Sequence, residues 1–292
     1  MKTIIYKLSE KMQKVPEEET PLTLFDNIDI FNDAEYLGRD KNILYSDIYR
    51  PKNSGAKRLP VIIMIHGGGL FMGSRKMNSY ICQIFAEKGY LVYALDYRLL
   101  TEANAKQEIA DVCSGFDFVE ASLDKYQGDS SEVYLVAESA GAFLSIYAIG
   151  MMKSKKLREA YGIENKCKLN IKKMACFSGM FYTHRFDIVG VLYPKQIYGK
   201  GYRKTELKKY INPEDEEILN NLPQMLLTSS KSDYLKKQTL KYNDALEKAG
   251  KSPALIYFKE RNKKLNHAFP ALNPFLAEST GIINHITDRF FK

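Results

Sequence analysis

Short, almost wholly apolar segments alternate with helix-like segments along most of this chain, and this alternation restricts the fold more than any other feature. The apolar segments lie at 61–66, 90–96, 133–138, 172–178, 224–230 and 254–258. Helical patterns lie at 77–88, 104–123, 140–152, 235–249 and 274–291. Strands without polar alternation are typical of a parallel sheet that helices cover on both faces. We therefore predict an α/β fold with a mostly parallel, doubly wound sheet.

The 292 residues, 45% of them hydrophobic, are enough for one large domain of this kind, and we expect a single domain over 1–292. The alternation is interrupted between 181 and 212. We predict that this insert and the N-terminal segment 1–24 form a small cap or lid. Aromatic rings of the insert either pack against the sheet, which we favour, or contact a substrate. They are Phe181, Tyr182, Tyr193, Tyr198 and Tyr202.

The formal net charge of +8 requires that nucleic-acid binding be considered. The lysines are scattered, and no zinc-finger spacing or RRM-like motif accompanies them, so we expect no nucleic-acid partner. Four cysteines without a CxxC pair indicate reduced thiols and no metal site. No apolar run is long enough for a signal peptide or a membrane span, so we expect a cytoplasmic protein. The oligomeric state stays open, with a homodimer as one alternative.

Ser139 stands where a predicted strand meets a predicted helix, in the stretch VYLVAESAGAF. The residues two positions to either side, Ala137 and Gly141, are small, as is required where a strand and a helix pass close together. A serine at such a junction is either a helix N-cap or a nucleophile on a strained turn. This stretch alone leaves both interpretations open.

Three consecutive glycines, Gly67, Gly68 and Gly69, follow His66 directly after the first predicted strand of the alternating region. Such a run costs backbone entropy, and it is useful where backbone N–H groups must approach a ligand closely. A phosphate-binding loop would need Gly-Lys-Ser/Thr, and a dinucleotide site would need G-x-G-x-x-G, and neither pattern is present. The glycines favour a site that stabilises an oxyanion.

A catalytic serine also needs a base and an acid that orients the base. The histidines are His66, His184, His267 and His285. His267 lies in the loop after the last predicted strand, and Asp233 follows the strand at 224–230. Asp215 and Asp244 fit less well, because the first precedes that strand and the second lies within a predicted helix. The order Ser139, Asp233, His267 is one of the known orders of a catalytic triad.

With these residues in place, the sequence resembles the α/β-hydrolase superfamily, and within it the hormone-sensitive-lipase-like esterases (α/β hydrolase fold-3, acetyl esterase-like). The resemblance covers about residue 45 to the C-terminus. It is carried by His66-Gly67-Gly68-Gly69 with Gly73-Ser74, Asp96-Tyr97-Arg98, Glu138-Ser139-Ala140-Gly141, Asn212-Pro213-Glu214 and the pair Asp233 and His267. The departures from the family pattern are Ala137, Glu138, Leu100-Thr101-Glu102 and Ala268.

The resemblance implies a serine esterase without a metal or an organic cofactor. Ser139 is the expected nucleophile, His267 the base and Asp233 the acid, and short-chain, acetyl-type esters are the expected small-molecule substrates. The expected oxyanion donors are the N–H groups of Gly68, Gly69 and Ala140. The expected substrate contacts are His66, Phe71, Glu138, Tyr182 and His184.

Asp96 and Arg98 are expected to brace loops near the site rather than to catalyse. Two alternatives to the esterase are kept open. One is an amidase or formamidase with the same triad. The other, less favoured, is a ligand-binding protein of the same fold without catalytic activity.

Overall fold

The computed structural model describes residues 23–55, 57–183 and 197–292. Its eight strands are β1 (Ile28–Leu37), β2 (Ile43–Pro51), β3 (Leu59–Ile65), β4 (Leu91–Leu95), β5 (Gly128–Glu138), β6 (Ile171–Phe177), β7 (Gln224–Ser230) and β8 (Ala254–Phe258). They form one sheet in the order β1-β2-β4-β3-β5-β6-β7-β8. The pairs β1–β2 and β2–β4 are antiparallel, and all the other pairs are parallel. The predicted mostly parallel sheet is confirmed.

The helices are α1 (Ser79–Glu87), α2 (Ala105–Tyr126), α3 (Ala140–Lys153), α4 (Lys155–Tyr161), α5 (Glu216–Leu219), α6 (Lys236–Lys248), α7 (Phe269–Leu272) and α8 (Ala277–His285). Short 3-10 segments occur at Lys52–Ser54, Arg75–Asn78, Tyr202–Lys204 and Glu206–Ile211, and a π turn at Ile286–Phe290 continues α8. The helix predicted at 274–291 is wrong at its start. Helical structure begins at Ala277, because Leu276 has an extended backbone conformation (φ −64°, ψ 145°) and forms the N-cap of the helix.

Helices cover both faces of the sheet, as the apolar strands predict. Successive side chains of a strand point to opposite faces, so β3 supplies both core layers. Ile63 packs in the layer that holds Phe116 of α2 and Phe143 of α3. Ile62 packs in the opposite layer, with Phe85 of α1 among its members. The doubly wound arrangement is confirmed.

The insert predicted as a lid is described at 181–183 and 197–212. Phe181, Tyr182 and Tyr198 are buried and belong to a core layer of the sheet. The side chain of Gln238 on α6 accepts hydrogen bonds from the N–H groups of Phe181 (2.8 Å) and Tyr182 (2.9 Å). These three rings therefore pack against the sheet, which is the interpretation that we favoured.

Tyr193 and His184 lie outside the described residues, and so does the predicted N-terminal cap segment except for Thr23 and Leu24. Within the described ranges, no helix combines the length and the apolar character that crossing a bilayer requires. All four cysteines are buried as free thiols.

Candidate active site

Ser139 occupies the sharp turn between β5 and α3. Its φ of 45° lies in the left-handed region, which costs a non-glycine residue about 1–3 kcal/mol. Its N–H donates to the carbonyl of Phe177 (3.0 Å), and its carbonyl accepts from the N–H of Met180 (2.9 Å). Within the described chain, its side chain forms no capping hydrogen bond to α3. The serine begins the helix without acting as its cap.

Two glycines allow this turn to lie against the loop after β3. A Cβ atom on Gly141 would lie 2.3 Å from the carbonyl oxygen of Ile65 and 2.5 Å from that of His66. A Cβ atom on Gly67 would lie 3.0 Å from the Cβ atom of Ser139. Larger residues at either position would push the turn at Ser139, the nucleophile turn, away from residues 67–69, the glycine loop.

The side chains of Ser139, His267 and Asp233 form a continuous hydrogen-bonded chain. The distance from His267 Nε2 to Ser139 Oγ is 2.8 Å, and that from His267 Nδ1 to Asp233 Oδ1 is also 2.8 Å. Asp233 is fully buried, whereas 16% of the His267 side chain is exposed. The three residues, predicted from distant parts of the sequence, meet at the carboxyl edge of the sheet.

Asp233 is held as a carboxylate. Burial by itself would raise its pKa, but hydrogen bonds to the charged form outweigh this effect, and the pKa lies below its ordinary value. The donors are His267, the Ser229 hydroxyl on Oδ2 (2.6 Å) and the Leu235 N–H on Oδ1 (2.9 Å). An ionised Asp233 accepts the Nδ1–H bond of His267 and leaves Nε2 free to act as a base.

Two residues that the sequence analysis did not single out hold His267 in place. The Ser178 hydroxyl accepts a hydrogen bond from the N–H of Ala268 (2.9 Å), and Ala268 has a φ of 53°. The Tyr234 ring lies 4.2 Å from the His267 ring, centroid to centroid. Ser178 follows β6 directly, and this position at a strand end was the available signal. For Tyr234 the signal was its place next to Asp233.

Buried polar side chains hold the glycine loop in place. The Gly67 N–H donates to Glu138 Oε1 (2.9 Å). The Tyr97 hydroxyl lies 3.0 Å from the carbonyl oxygen of His66 and 2.9 Å from that of Gly67. Gly68 and Gly69 both have positive φ, 99° and 64°, which glycine adopts without strain. The loop is thus held in one shape beside Ser139, as an oxyanion site requires.

The side chains predicted to contact substrate are mostly buried. His66 and Glu138 are each 1% exposed, Tyr182 2% and Phe71 7%. The His66 ring stacks on Tyr97, with centroids 4.2 Å apart. Burial raises the pKa of Glu138, although the Gly67 N–H and the charge of His267 oppose this rise. For His66 and Glu138 these contacts favour positioning of the loop over direct substrate binding. His184 is outside the described residues.

Asp96 and Arg98 take part in ion pairs beneath the site. Asp96 accepts from the backbone N–H of Arg75 (2.7 Å) and from its guanidinium. Arg98 binds Asp111 through Nε and Nη2, both at 2.8 Å, and Asp40 through Nη1 (2.6 Å). These contacts fit the expected bracing role. In the part of the chain that the structure describes, no three His, Cys, Asp or Glu side chains are grouped to hold a metal ion.

The chain is similar in sequence to curated plant proteins that are named as methylesterases. Isoprenylcysteine alpha-carbonyl methylesterase ICME of Arabidopsis thaliana is 24% identical over 226 residues, which cover 73% of this chain and 52% of that protein. The chain thus spans about half the length of this curated relative. It spans 21–27% of three similar plant proteins.

Among solved structures, esterase B from Lactobacillus rhamnosis has a TM-score of 0.82 at 20% identity, covering 99% of this chain and 91% of that chain. Esterase B has also been solved inhibited by a C4-C4 tributyrin phosphonate. Brefeldin A esterase, described as a bacterial homologue of human hormone sensitive lipase, has a TM-score of 0.73 at 17% identity and covers 99% and 84% of the two chains. The α/β-hydrolase fold implied by the sequence motifs is confirmed.

A sequence model of one family, BD-FAE, matches residues 46–238, from β2 into α6. The matched segment contains the glycine loop, Ser139 and Asp233, and it stops before His267. Because the match covers well over half of the chain, this protein belongs to the BD-FAE family.

Proposed function

We propose that this protein is a serine carboxylesterase that hydrolyses short-acyl, acetyl-type esters. The observation that carries the proposal is the hydrogen-bonded chain Ser139–His267–Asp233, with both of its links at 2.8 Å. A nucleophile, a base and an orienting acid in this geometry are the elements that nucleophilic acyl transfer requires.

In the proposed reaction, Ser139 Oγ attacks the ester carbonyl while His267 Nε2 takes up its proton. Asp233 holds the ring with Nδ1–H towards its own carboxylate and stabilises the imidazolium. His267 then protonates the oxygen of the leaving alcohol. Water, activated by the same base, attacks the acyl-enzyme and releases the carboxylic acid, which regenerates Ser139.

The proposed oxyanion donors are the N–H groups of Gly68, Gly69 and Ala140. Removal of one such donor typically costs about 2.7–4 kcal/mol of transition-state stabilisation. Support comes from the fixed shape of the loop: Gly68 and Gly69 have positive φ, and Glu138 and Tyr97 hold the loop at Gly67.

The short-acyl preference is supported by a structural neighbour. The solved esterase B was trapped with a tributyrin phosphonate, and the butyryl groups of tributyrin are short acyl groups of four carbons. The packed aromatic rings of Phe181 and Tyr182 are also consistent with limited room beside the sheet.

The test is hydrolysis of the p-nitrophenyl esters of acetate, butyrate and octanoate by the wild-type protein and by Ser139→Ala. We expect acetate or butyrate to be the best substrate and the variant to lose a factor of about 10³ or more in kcat. Ser252→Ala, at an exposed serine before β8, is the matched control and should keep wild-type turnover.

Equal turnover by the wild type and Ser139→Ala would contradict the proposal, and so would inactivity of both on all three esters. A preference for octanoate would retain the esterase and refute the short-acyl part.

A further inference from the structure

A cavity of about 580 Å³ lies beside the proposed triad, at the carboxyl edge of the sheet. Four of the residues that line it are cationic: Lys231, Lys236, Arg261 and Lys263. Lys231 lies in the loop after β7, Lys236 begins α6, and Arg261 and Lys263 lie in the loop after β8. We refer to this feature as the basic cavity.

The basic cavity adjoins the proposed catalytic base His267, which is not itself part of the lining. Tyr234 and Asn266 also line it. The Tyr234 ring lies 4.2 Å from the His267 ring, and Asn266 directly precedes His267 in the chain. A molecule bound at Ser139 and extending past His267 would therefore pass Tyr234 and enter this cavity.

The charge of the cavity is not neutralised by its own lining, which contains no Asp or Glu. Within residues 23–55, 57–183 and 197–292, none of the four cations forms a salt bridge, whereas Arg75 and Arg98 each bind carboxylates. The polar contact of Lys236 is with the carbonyl oxygen of Asp233 (3.1 Å), which carries no net charge. The Asp233 carboxylate itself is buried and already hydrogen-bonded.

A concave surface that bears four cations attracts anions and raises their local concentration. Its place on the His267 side indicates which part of an ester would reach it. The histidine of a triad delivers its proton to the leaving alcohol, so the alcohol must lie at Nε2 and extend away from the acyl group.

We propose that the basic cavity binds an anionic group, a carboxylate or a phosphate, on the alcohol part of the ester. The inference rests on the proposed esterase function and specifies its substrate class. The products are then a short carboxylic acid and an alcohol that keeps its negative charge, with one water consumed.

The experiment compares acetate esters of four meta-substituted phenols that differ in charge. They are meta-acetoxybenzoate, meta-acetoxyphenyl phosphate, the neutral meta-acetoxybenzamide and the cationic meta-acetoxyphenyltrimethylammonium. We expect kcat/KM for the anionic esters to exceed that for the neutral ester about tenfold or more, and the cationic ester to be poorest. The advantage should shrink as salt is raised, because the cavity is open to solvent. A larger advantage for the phosphate than for the carboxylate would identify the preferred anion.

Two double variants test whether the basic cavity causes the preference for anionic esters. Arg261→Gln with Lys263→Gln should lower the ratio of anionic to neutral kcat/KM several-fold. Lys88→Gln with Lys248→Gln removes the same two charges at the ends of α1 and α6, at the opposite edge of the sheet. That control should leave the ratio at its wild-type value.

Turnover of all four esters at similar kcat/KM would overturn the inference while retaining the esterase. An equal change of this ratio in both double variants would also overturn the inference, because the preference for anionic esters would then depend on the net charge of the protein and not on the basic cavity. Inactivity on every ester would instead refute the proposed function. If heparin, a polyanion, inhibited neutral-ester hydrolysis and the small esters showed no preference by charge, the inference would also be overturned. The basic cavity would then be a docking site for an anionic macromolecule.

Discussion

At the scale of the single residue, the backbone of Ser139 decides what its side chain can do. A serine with extended φ and ψ before a helix turns its hydroxyl to the helix N–H groups. With φ at 45°, Ser139 instead forms its side-chain hydrogen bond with His267. Two backbone hydrogen bonds hold this strained conformation. The Ser139 N–H donates to the carbonyl of Phe177, and the Ser139 carbonyl accepts from the N–H of Met180. Neighbouring strand ends thus fix the nucleophile.

A second residue, Glu108 in α2, is buried at a position where a carboxylate is unfavourable. It is 0% exposed, and neither carboxyl oxygen has a hydrogen-bond partner among the described residues. Burial raises its pKa well above the ordinary value, the charge of Asp111 adds to this, and Arg98 opposes it. Glu108 is therefore protonated in the folded protein at a pH where the unfolded chain has lost the proton.

Glu108→Gln replaces the buried carboxyl group by an amide that does not titrate. Above the unfolded pKa of about 4.3, the folded wild type holds more protons than the unfolded chain. The contribution of Glu108 to the free energy of unfolding therefore falls as the pH rises towards the folded pKa. Glutamine does not titrate, so this pH-dependent loss is absent from the variant. We expect the variant to gain up to about 1.4 kcal/mol per pH unit relative to the wild type above about pH 5.

The measurement is urea unfolding at several pH values between 5 and 8. Glu87→Gln, at an exposed glutamate of α1, is the matched control and should follow the wild type. A constant difference between Glu108→Gln and the wild type across this range would show that Glu108 is ionised in the folded state.

At the scale of elements, the site depends on the close approach of α3 to the end of β3. Gly141 in the first turn of α3 lies against the carbonyl groups of Ile65 and His66, and these belong to backbone rather than to movable side chains. The glycine loop and the nucleophile turn are therefore packed as one unit.

We expect Gly141→Ala to lower the free energy of unfolding by about 1–3 kcal/mol, because the new methyl group must displace backbone. It should also reduce kcat, since the same displacement separates the loop from Ser139. Gly281→Ala in α8 is the matched control. A Cβ atom there meets no atom within 4 Å, so alanine should stabilise the helix by about 0.5–1 kcal/mol. Thermal unfolding of both variants beside ester turnover tests this. Wild-type stability and turnover in Gly141→Ala would contradict the account of the packing.

Most strands could be predicted from the sequence to within one or two residues, because full burial makes them continuously apolar. The start of β5 could not. Its first residues, Gly128 to Glu132, are polar and carry no apolar pattern, and the segment begins with Gly128 paired to Leu59 of β3. The helix α4 was also missed, since it follows α3 after a single residue, Ser154, whose hydroxyl accepts a hydrogen bond from the N–H of Leu157.

At the scale of the whole molecule, the topology explains why the site could be predicted in part. Parallel strands place their carboxyl ends at one edge, so a serine after β5, an aspartate after β7 and a histidine after β8 meet there. Side chains whose role depends on loop conformation could not be predicted. The position of Ser178 at a strand end was visible in the sequence, but its hydrogen bond to Ala268 forms between two loop residues with positive φ, which the sequence does not reveal. The basic cavity was hidden in the same way, because a net charge of +8 does not say where the cations lie.

The central claim is that folding turns Ser139 into a nucleophile, and covalent labelling tests it most directly. The protein would be treated with a fluorophosphonate probe and digested, and the modified residue located by mass spectrometry. We expect one label per chain, on Ser139, with much slower labelling in His267→Ala and none after unfolding in urea. No label on the folded protein, label at another residue, or equal labelling of folded and unfolded chains would contradict the account.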